Sequence, residues 1–78
     1  MIEKITEFFD MEVRQTERWL GSKWCKTPKE RSDSVWYATQ RCLGVAQFVQ
    51  TACDVSFEDI EPLYEATRKK LENLLEIY

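Results

Sequence analysis

Apolar residues recur every three or four positions along three separate stretches of the chain, and this spacing constrains the fold more than any other feature. An α-helix has about 3.6 residues per turn, so residues spaced in this way lie on one face of a helix. Only two Gly and two Pro occur in 78 residues, so few positions interrupt a helix. No segment has the strict apolar–polar alternation of a strand. We therefore predict an all-α fold.

The three stripes predict helices over residues 2–20, 28–53 and 57–77. Two short connections between three long helices favour antiparallel neighbours, up-down-up. The second helix is the longest, and its broad stripe is typical of a helix that contacts both of the others. The sequence therefore predicts a single domain over residues 1–78, an antiparallel three-helix bundle with a long central second helix.

The connection between the first two helices carries the clearest helix-end signals. Gly21 follows the last apolar residue of the first stripe, where a left-handed residue often ends a helix. Thr27 can cap the second helix, with Pro28 in its first turn and Glu30 completing a capping box. These residues predict an end near Leu20 and a start at Pro28.

The start of the third helix has two solutions. If Ser56 is the N-cap, Pro62 lies in the second turn of the helix and should bend it. If Asp59 is the N-cap, Pro62 lies in the first turn, where its missing N–H has no cost. The sequence alone leaves both solutions open.

Composition argues against several functions. The chain has no histidine, which removes the usual general base and the commonest metal ligand, and its three cysteines form no CxxC pair. Cys42 and Cys53 lie ~16 Å apart on one helix, too far for a disulfide. Cys25 lies beside a helix N-terminus but has no base next to it. We predict a non-enzyme without cofactor, metal or small-molecule substrate, and free thiols indicate the cytoplasm.

The first twenty residues carry eight charged side chains. A signal peptide needs an apolar run of about 7–15 residues, and a membrane-spanning helix needs about 20. The charges interrupt any such run. We therefore expect neither a leader nor a membrane partner.

A second row of residues on the second helix lies off its apolar stripe. Tyr37, Arg41, Gly44 and Phe48 follow one another at intervals of four, three and four residues, and Trp36 flanks the stripe on its other side. Glycine costs about 1 kcal/mol in a helix interior, and aromatic and arginine side chains are typical interface anchors. The row together with Trp36 predicts a partner-binding surface; the alternative is that another helix of the bundle covers the row.

A basic cluster surrounds the first connection and predicts an alternative site for an anion or nucleic acid. It consists of Lys23, Trp24, Lys26, Lys29 and Arg31. Lysines near a helix N-terminus attract anions, and an exposed tryptophan can stack on a base. The net charge of −3 argues against nucleic acid, which basic domains prefer. Trp24 can instead fold back over the end of the bundle.

These observations together predict a small, non-enzymatic protein-binding module that forms a homodimer through the second helix. The two alternatives are an anion- or nucleic-acid-binding protein that uses residues 23–31 and a small inhibitor or accessory subunit of a larger complex. Excess aromatic surface on so small a domain is the main reason for preferring the first.

Overall fold

Three α-helices make up most of the chain. A computed structural model describes residues 1–78 and contains α1 (Ile2–Leu20), α2 (Pro28–Ala52) and α3 (Phe57–Ile77). Each helix packs against the other two, which confirms the predicted three-helix bundle. The bundle is elongated, with principal extents of 40, 18 and 17 Å. The predicted helix bounds are confirmed, except that α2 ends at Ala52 and Cys53 is its C-cap.

One hydrophobic core joins the three helices. Its largest fully buried side chains are Phe9 of α1 and Ile60 and Leu71 of α3. The residues that α2 adds are small or β-branched: Val35, Ala38, Cys42, Ala46 and Val49. Small residues on one helix let its neighbours approach closely. One side of α2 therefore faces the core, and the opposite side faces solvent.

The predicted cap at the start of α2 is confirmed. The Thr27 Oγ1 atom accepts a hydrogen bond from the Glu30 N–H at 3.1 Å and donates one to Glu30 Oε1 at 3.1 Å. Pro28 occupies the first position of the helix. Its ring needs no N–H partner at this position. The boundary is therefore set by local chemistry alone.

The predicted left-handed conformation of Gly21 is wrong. Gly21 has φ −83° and ψ −1°, and its N–H donates to the Glu17 carbonyl as if the helix continued. A Cβ at this position would lie 3.2 Å from Cε1 of Tyr78. Close packing against the C-terminal tyrosine is the physical reason for a glycine here, and no backbone strain is involved.

The turn between α2 and α3 contains the only residue with positive φ, Asp54 at 55°. Ser56 caps α3 by accepting the Glu58 N–H at 3.2 Å. Of the two solutions that the sequence left open, the structure has the cap at Ser56. Pro62 consequently lies inside α3.

The three cysteines are unpaired, with Cys25 and Cys42 buried and Cys53 half-buried. Burial raises the pKa of the Cys42 thiol to about 12, and the Glu12 carboxylate adds to the shift. No three His, Cys, Asp or Glu side chains come together in a way that could hold a metal ion. None of the three helices combines the length and apolar character needed to cross a bilayer.

Candidate protein-interaction face

The off-stripe row of α2 lies on the outside of the bundle. Phe48 is 63% exposed and Tyr37 is 57% exposed, while Arg41 and Gly44 between them are also open to solvent. Neither α1 nor α3 covers the row. The sequence could not decide whether the two aromatic residues belong to the core or to the surface, and the structure places both on the surface.

Trp36 extends this aromatic surface sideways. Its indole is 57% exposed and meets the Tyr37 ring edge-on, with ring centroids 5.1 Å apart and an angle of 79° between the planes. Edge-to-face geometry is a favoured arrangement for aromatic pairs. The contact helps to hold two large exposed rings in place next to each other.

Charge is nearly absent from α2 beyond its first two turns. Between Ser34 and Cys53 the only ionisable side chain that carries a charge at neutral pH is Arg41. The outer faces of α1 and α3, in contrast, carry many acidic and basic residues. Depletion of charge together with aromatic enrichment is the composition found at the centre of protein interfaces.

Glu12 of α1 neutralises the single charge on this run. Its Oε2 atom accepts hydrogen bonds from Nη2 of Arg41 at 2.8 Å and from Nε at 3.0 Å. The Glu12 side chain is only 9% exposed, whereas that of Arg41 is 55% exposed. This contact raises the pKa of Arg41, which remains charged. The pair thus fixes the arginine side chain between α1 and α2.

Glu12 was missed by the sequence analysis. The buried residues of α1 are Ile5, Phe9, Glu12, Thr16 and Leu20, which keep a three-or-four spacing. A stripe made only of apolar residues passes through the neighbouring Val13 instead, so it does not include the glutamate. The helical spacing could have indicated Glu12. A glutamate at a core-facing position needs a partner, since burying an unpaired charge is costly.

Gly44 has no structural reason for being a glycine within this chain. An added Cβ would meet no other atom within 4 Å, and the φ of Gly44 is not positive. Glycine nevertheless lowers helix stability by about 1 kcal/mol relative to alanine. The residue leaves an open gap on the outer side of α2, between Arg41 and Phe48.

α1 contributes its own exposed apolar residues beside this row. A cleft of about 240 Å³ lies between the two helices. Its lining includes Trp19 and Gln15 of α1 and Tyr37 and Arg41 of α2. Met11 precedes Gln15 by one helical turn, on the same side of α1, and is exposed.

We call this surface the α1–α2 face and define it by Met11, Trp19, Tyr37, Arg41, Gly44 and Phe48. The two α1 residues were not predicted from the sequence. Trp19 is next to Leu20 at the end of the first apolar stripe, and Met11 lies between two acidic residues. Their membership depends on how α1 and α2 pack together.

The basic connection is less assembled than the sequence predicted. Lys29 forms an ion pair with Asp33 at 2.9 Å, and the Arg31 guanidinium contacts the Lys26 carbonyl oxygen at 3.5 Å. Trp24 does not fold back over the bundle: it is 64% exposed, with the Lys23 ammonium 5.2 Å from its ring centroid. Cys25 turns inward and joins the core instead.

A second groove, of about 250 Å³, lies between α2 and α3. Ala46, Ile60 and Tyr64 form part of its apolar floor, and Glu61 and Glu65 lie at its side. Glu65 is engaged by Arg68 at 2.7 Å, which lowers the pKa of the carboxyl group. Leu43 and the exposed ring of Phe57 also line this groove, which is therefore a second apolar surface with glutamates at its side.

Comparison of the chain with models of protein families, with curated proteins and with solved structures finds no match.

Proposed function

We propose that this protein is a non-enzymatic binding module that forms a homodimer through the α1–α2 face. One observation carries the proposal: exposed Tyr37 and Phe48 lie on a run of α2 whose single charge, Arg41, is already paired with Glu12. Exposed apolar patches on soluble domains commonly mark interaction sites. Aromatic and arginine side chains are also the residue types that contribute most to binding.

The physical driving force is removal of these rings from water, at about 25 cal/mol per Å² of apolar area. Loss of translational and rotational freedom opposes it by about 4–15 kcal/mol. A face made of parts of two helices is near the lower end of interface sizes, so we expect a dissociation constant in the micromolar range. Because Arg41 is paired before association, its burial leaves no unmatched charge.

The two alternatives have less support. An anion site on residues 23–31 would have to compete with Asp33 for Lys29, and two of its cations are already in contact with protein atoms. Only Lys23 and Trp24 form an exposed cation–aromatic pair there. An accessory subunit of a larger complex would use the same α1–α2 face, and only the identity of the occupant would differ.

Sedimentation of the wild type and of Phe48→Glu tests the proposal. We expect the wild type to approach twice its 9.3 kDa mass at about 100 µM, and the variant to stay monomeric. Gln47→Glu is the matched control, because it adds the same charge one position away, on a different side of α2. We expect it to dimerise as the wild type does.

Circular dichroism of the same samples separates dissociation from unfolding. Phe48 is well exposed, so the variant should keep the wild-type helix content. A wild type that remains monomeric at this concentration contradicts the proposal. Equal loss of dimer in both variants contradicts the assignment to the α1–α2 face.

A further inference from the structure

The spacing of the α2 row is the same when read in either direction: four, three and four residues separate Tyr37, Arg41, Gly44 and Phe48. We infer that two copies bind each other with their α2 helices antiparallel, about a two-fold axis that passes between the two helices, perpendicular to them, at the level midway between Arg41 and Gly44. This inference rests on the proposed function and adds the orientation and register of the partner.

In this register the two ends of the row match. Tyr37 and Phe48 are eleven residues apart, ~16 Å along the helix. The two-fold axis places Tyr37 of one copy against Phe48 of the partner subunit, and the reverse pair forms at the other end. Each exposed ring therefore meets an exposed ring, and the two contacts are equivalent, as in every isologous interface.

The middle of the row matches by shape. Arg41 of one copy lies across Gly44 of the partner subunit, and the reverse contact is equivalent. The open space at Gly44 can take the aliphatic stem of the arginine, since no atom of its own chain lies within 4 Å of where a Cβ would be. This contact explains why position 44 is a glycine, which the folded monomer does not need.

Both arginines lie close to the axis, where two free positive charges would repel each other. Each guanidinium is held by Glu12 of its own chain through two hydrogen bonds. The centre of the interface therefore has no net charge. The same axis places α1 beside α1 of the second copy, with Met11 at the level of the axis because it is next to Glu12.

A parallel arrangement fits the residues less well. It would place Arg41 against Arg41 of the partner subunit and Gly44 against Gly44 of the partner subunit, so side chain would face side chain and gap would face gap. In the antiparallel register, each arginine stem instead lies in the gap at Gly44 of the partner subunit. Complementary shape is what selects one register over the other.

Mixing two single variants tests the register. Tyr37→Lys and Phe48→Glu should each weaken the homodimer at least about tenfold, because each leaves two introduced charges buried without partners. In the antiparallel heterodimer, the introduced lysine faces the introduced glutamate, and the remaining Tyr37 faces the remaining Phe48. We expect the mixture to associate within about threefold of wild-type affinity.

A mixture of Tyr37→Lys and Phe48→Lys is the matched control. It alters the same two positions, but its introduced charges repel, so it should remain monomeric. Sedimentation of the wild type, of each single variant and of both mixtures provides the full comparison. Circular dichroism of each single variant shows whether the fold is retained.

The outcomes separate the inference from the proposal on which it rests. Recovery in the lysine–glutamate mixture alone supports the antiparallel register. Single variants that dissociate and a lysine–glutamate mixture that stays monomeric overturn the register while homodimerisation stands. A monomeric wild type, or single variants that dimerise normally, overturns both.

Discussion

Arg41 has two roles at the scale of a single residue. Its guanidinium lies against a nearly buried carboxylate on α1, and its stem forms part of the outer surface of α2. The first role belongs to the stability of the bundle, and the second to the α1–α2 face. Substitution of Arg41 in dilute protein tests the first role, and substitution of Gly44 tests the second.

Removing Arg41 should destabilise the monomer. Arg41→Ala leaves the Glu12 carboxylate without a partner. We expect the free energy of unfolding to fall by about 1–2 kcal/mol, a range that already allows for the partial exposure of the arginine. Urea denaturation of dilute protein measures it. Lys29→Ala, which breaks the exposed pair with Asp33, is the control and should change little. Equal effects of the two substitutions would contradict a structural role for the Glu12–Arg41 pair.

Gly44→Ala should have opposite effects on folding and on association. The added methyl group meets no atom of its own chain, so alanine should stabilise the monomer by about 1 kcal/mol through helix propensity. The same methyl group occupies the gap proposed for Arg41 of the partner subunit and should weaken the dimer. Urea denaturation at low concentration and sedimentation at high concentration give the two numbers. An alanine variant that gains both stability and affinity would contradict the proposed register.

The Cys42 thiol should make stability fall at alkaline pH. Its pKa is about 12 in the folded protein, whereas the ordinary thiol value, which applies to the unfolded chain, is 9.0. Between these values the unfolded chain loses the proton and the folded protein keeps it, so the free energy of unfolding declines as pH rises from about 9 to about 12. Denaturation curves of the wild type and of Cys42→Ala across this range isolate the contribution. Parallel pH profiles for the two proteins would show that the thiol is not buried as described.

Pro62 is the main irregularity at the scale of one helix. It lies inside α3, where it cannot donate the hydrogen bond that the Glu58 carbonyl would accept. We expect Pro62→Ala to increase the free energy of unfolding by about 1–3 kcal/mol. Thermal denaturation measures this change, and Glu61→Ala, at the neighbouring exposed position, is the control. A destabilised alanine variant would mean that proline at this position is needed for α3 to pack.

The helices themselves were predictable from sequence because their signals are local. Apolar spacing defined the three stripes, and the Thr27 cap was read from four adjacent residues. The features that could not be predicted from the sequence are those that involve other parts of the chain. Tyr78, which lies close to where a Cβ of Gly21 would be, is far from Gly21 in the sequence. Ser56 and Asp59 are both residue types that cap helices, so residue type alone does not decide between them.

The candidate site was predictable in part for the same reason. The row on α2 follows from helical spacing, so Tyr37, Arg41, Gly44 and Phe48 could be named in advance. Whether the row was covered could not be known before α1 and α3 were in place. The contributions of Glu12 and of the two exposed α1 residues also required the packed bundle.

At the scale of the whole molecule, the exposed aromatic rings differ in the charge around them, since Trp24 and Phe57 lie among charged residues. The α1–α2 face has exposed rings around one paired charge, whereas acidic residues crowd the turn into α3 and basic residues surround the first connection. A rod-shaped bundle with one such face is suited to pairing through its long side. A dimer formed in this way would place four helices around a second apolar layer.

The most direct measurement is the detection of intermolecular nuclear Overhauser effects in a mixture of isotope-labelled and unlabelled protein at a concentration where the dimer is populated. For the antiparallel dimer we expect contacts between the Tyr37 ring of one copy and the Phe48 ring of the other. Intermolecular contacts that involve only other surfaces, such as Phe57 beside the α2–α3 groove, or none at all, would contradict it.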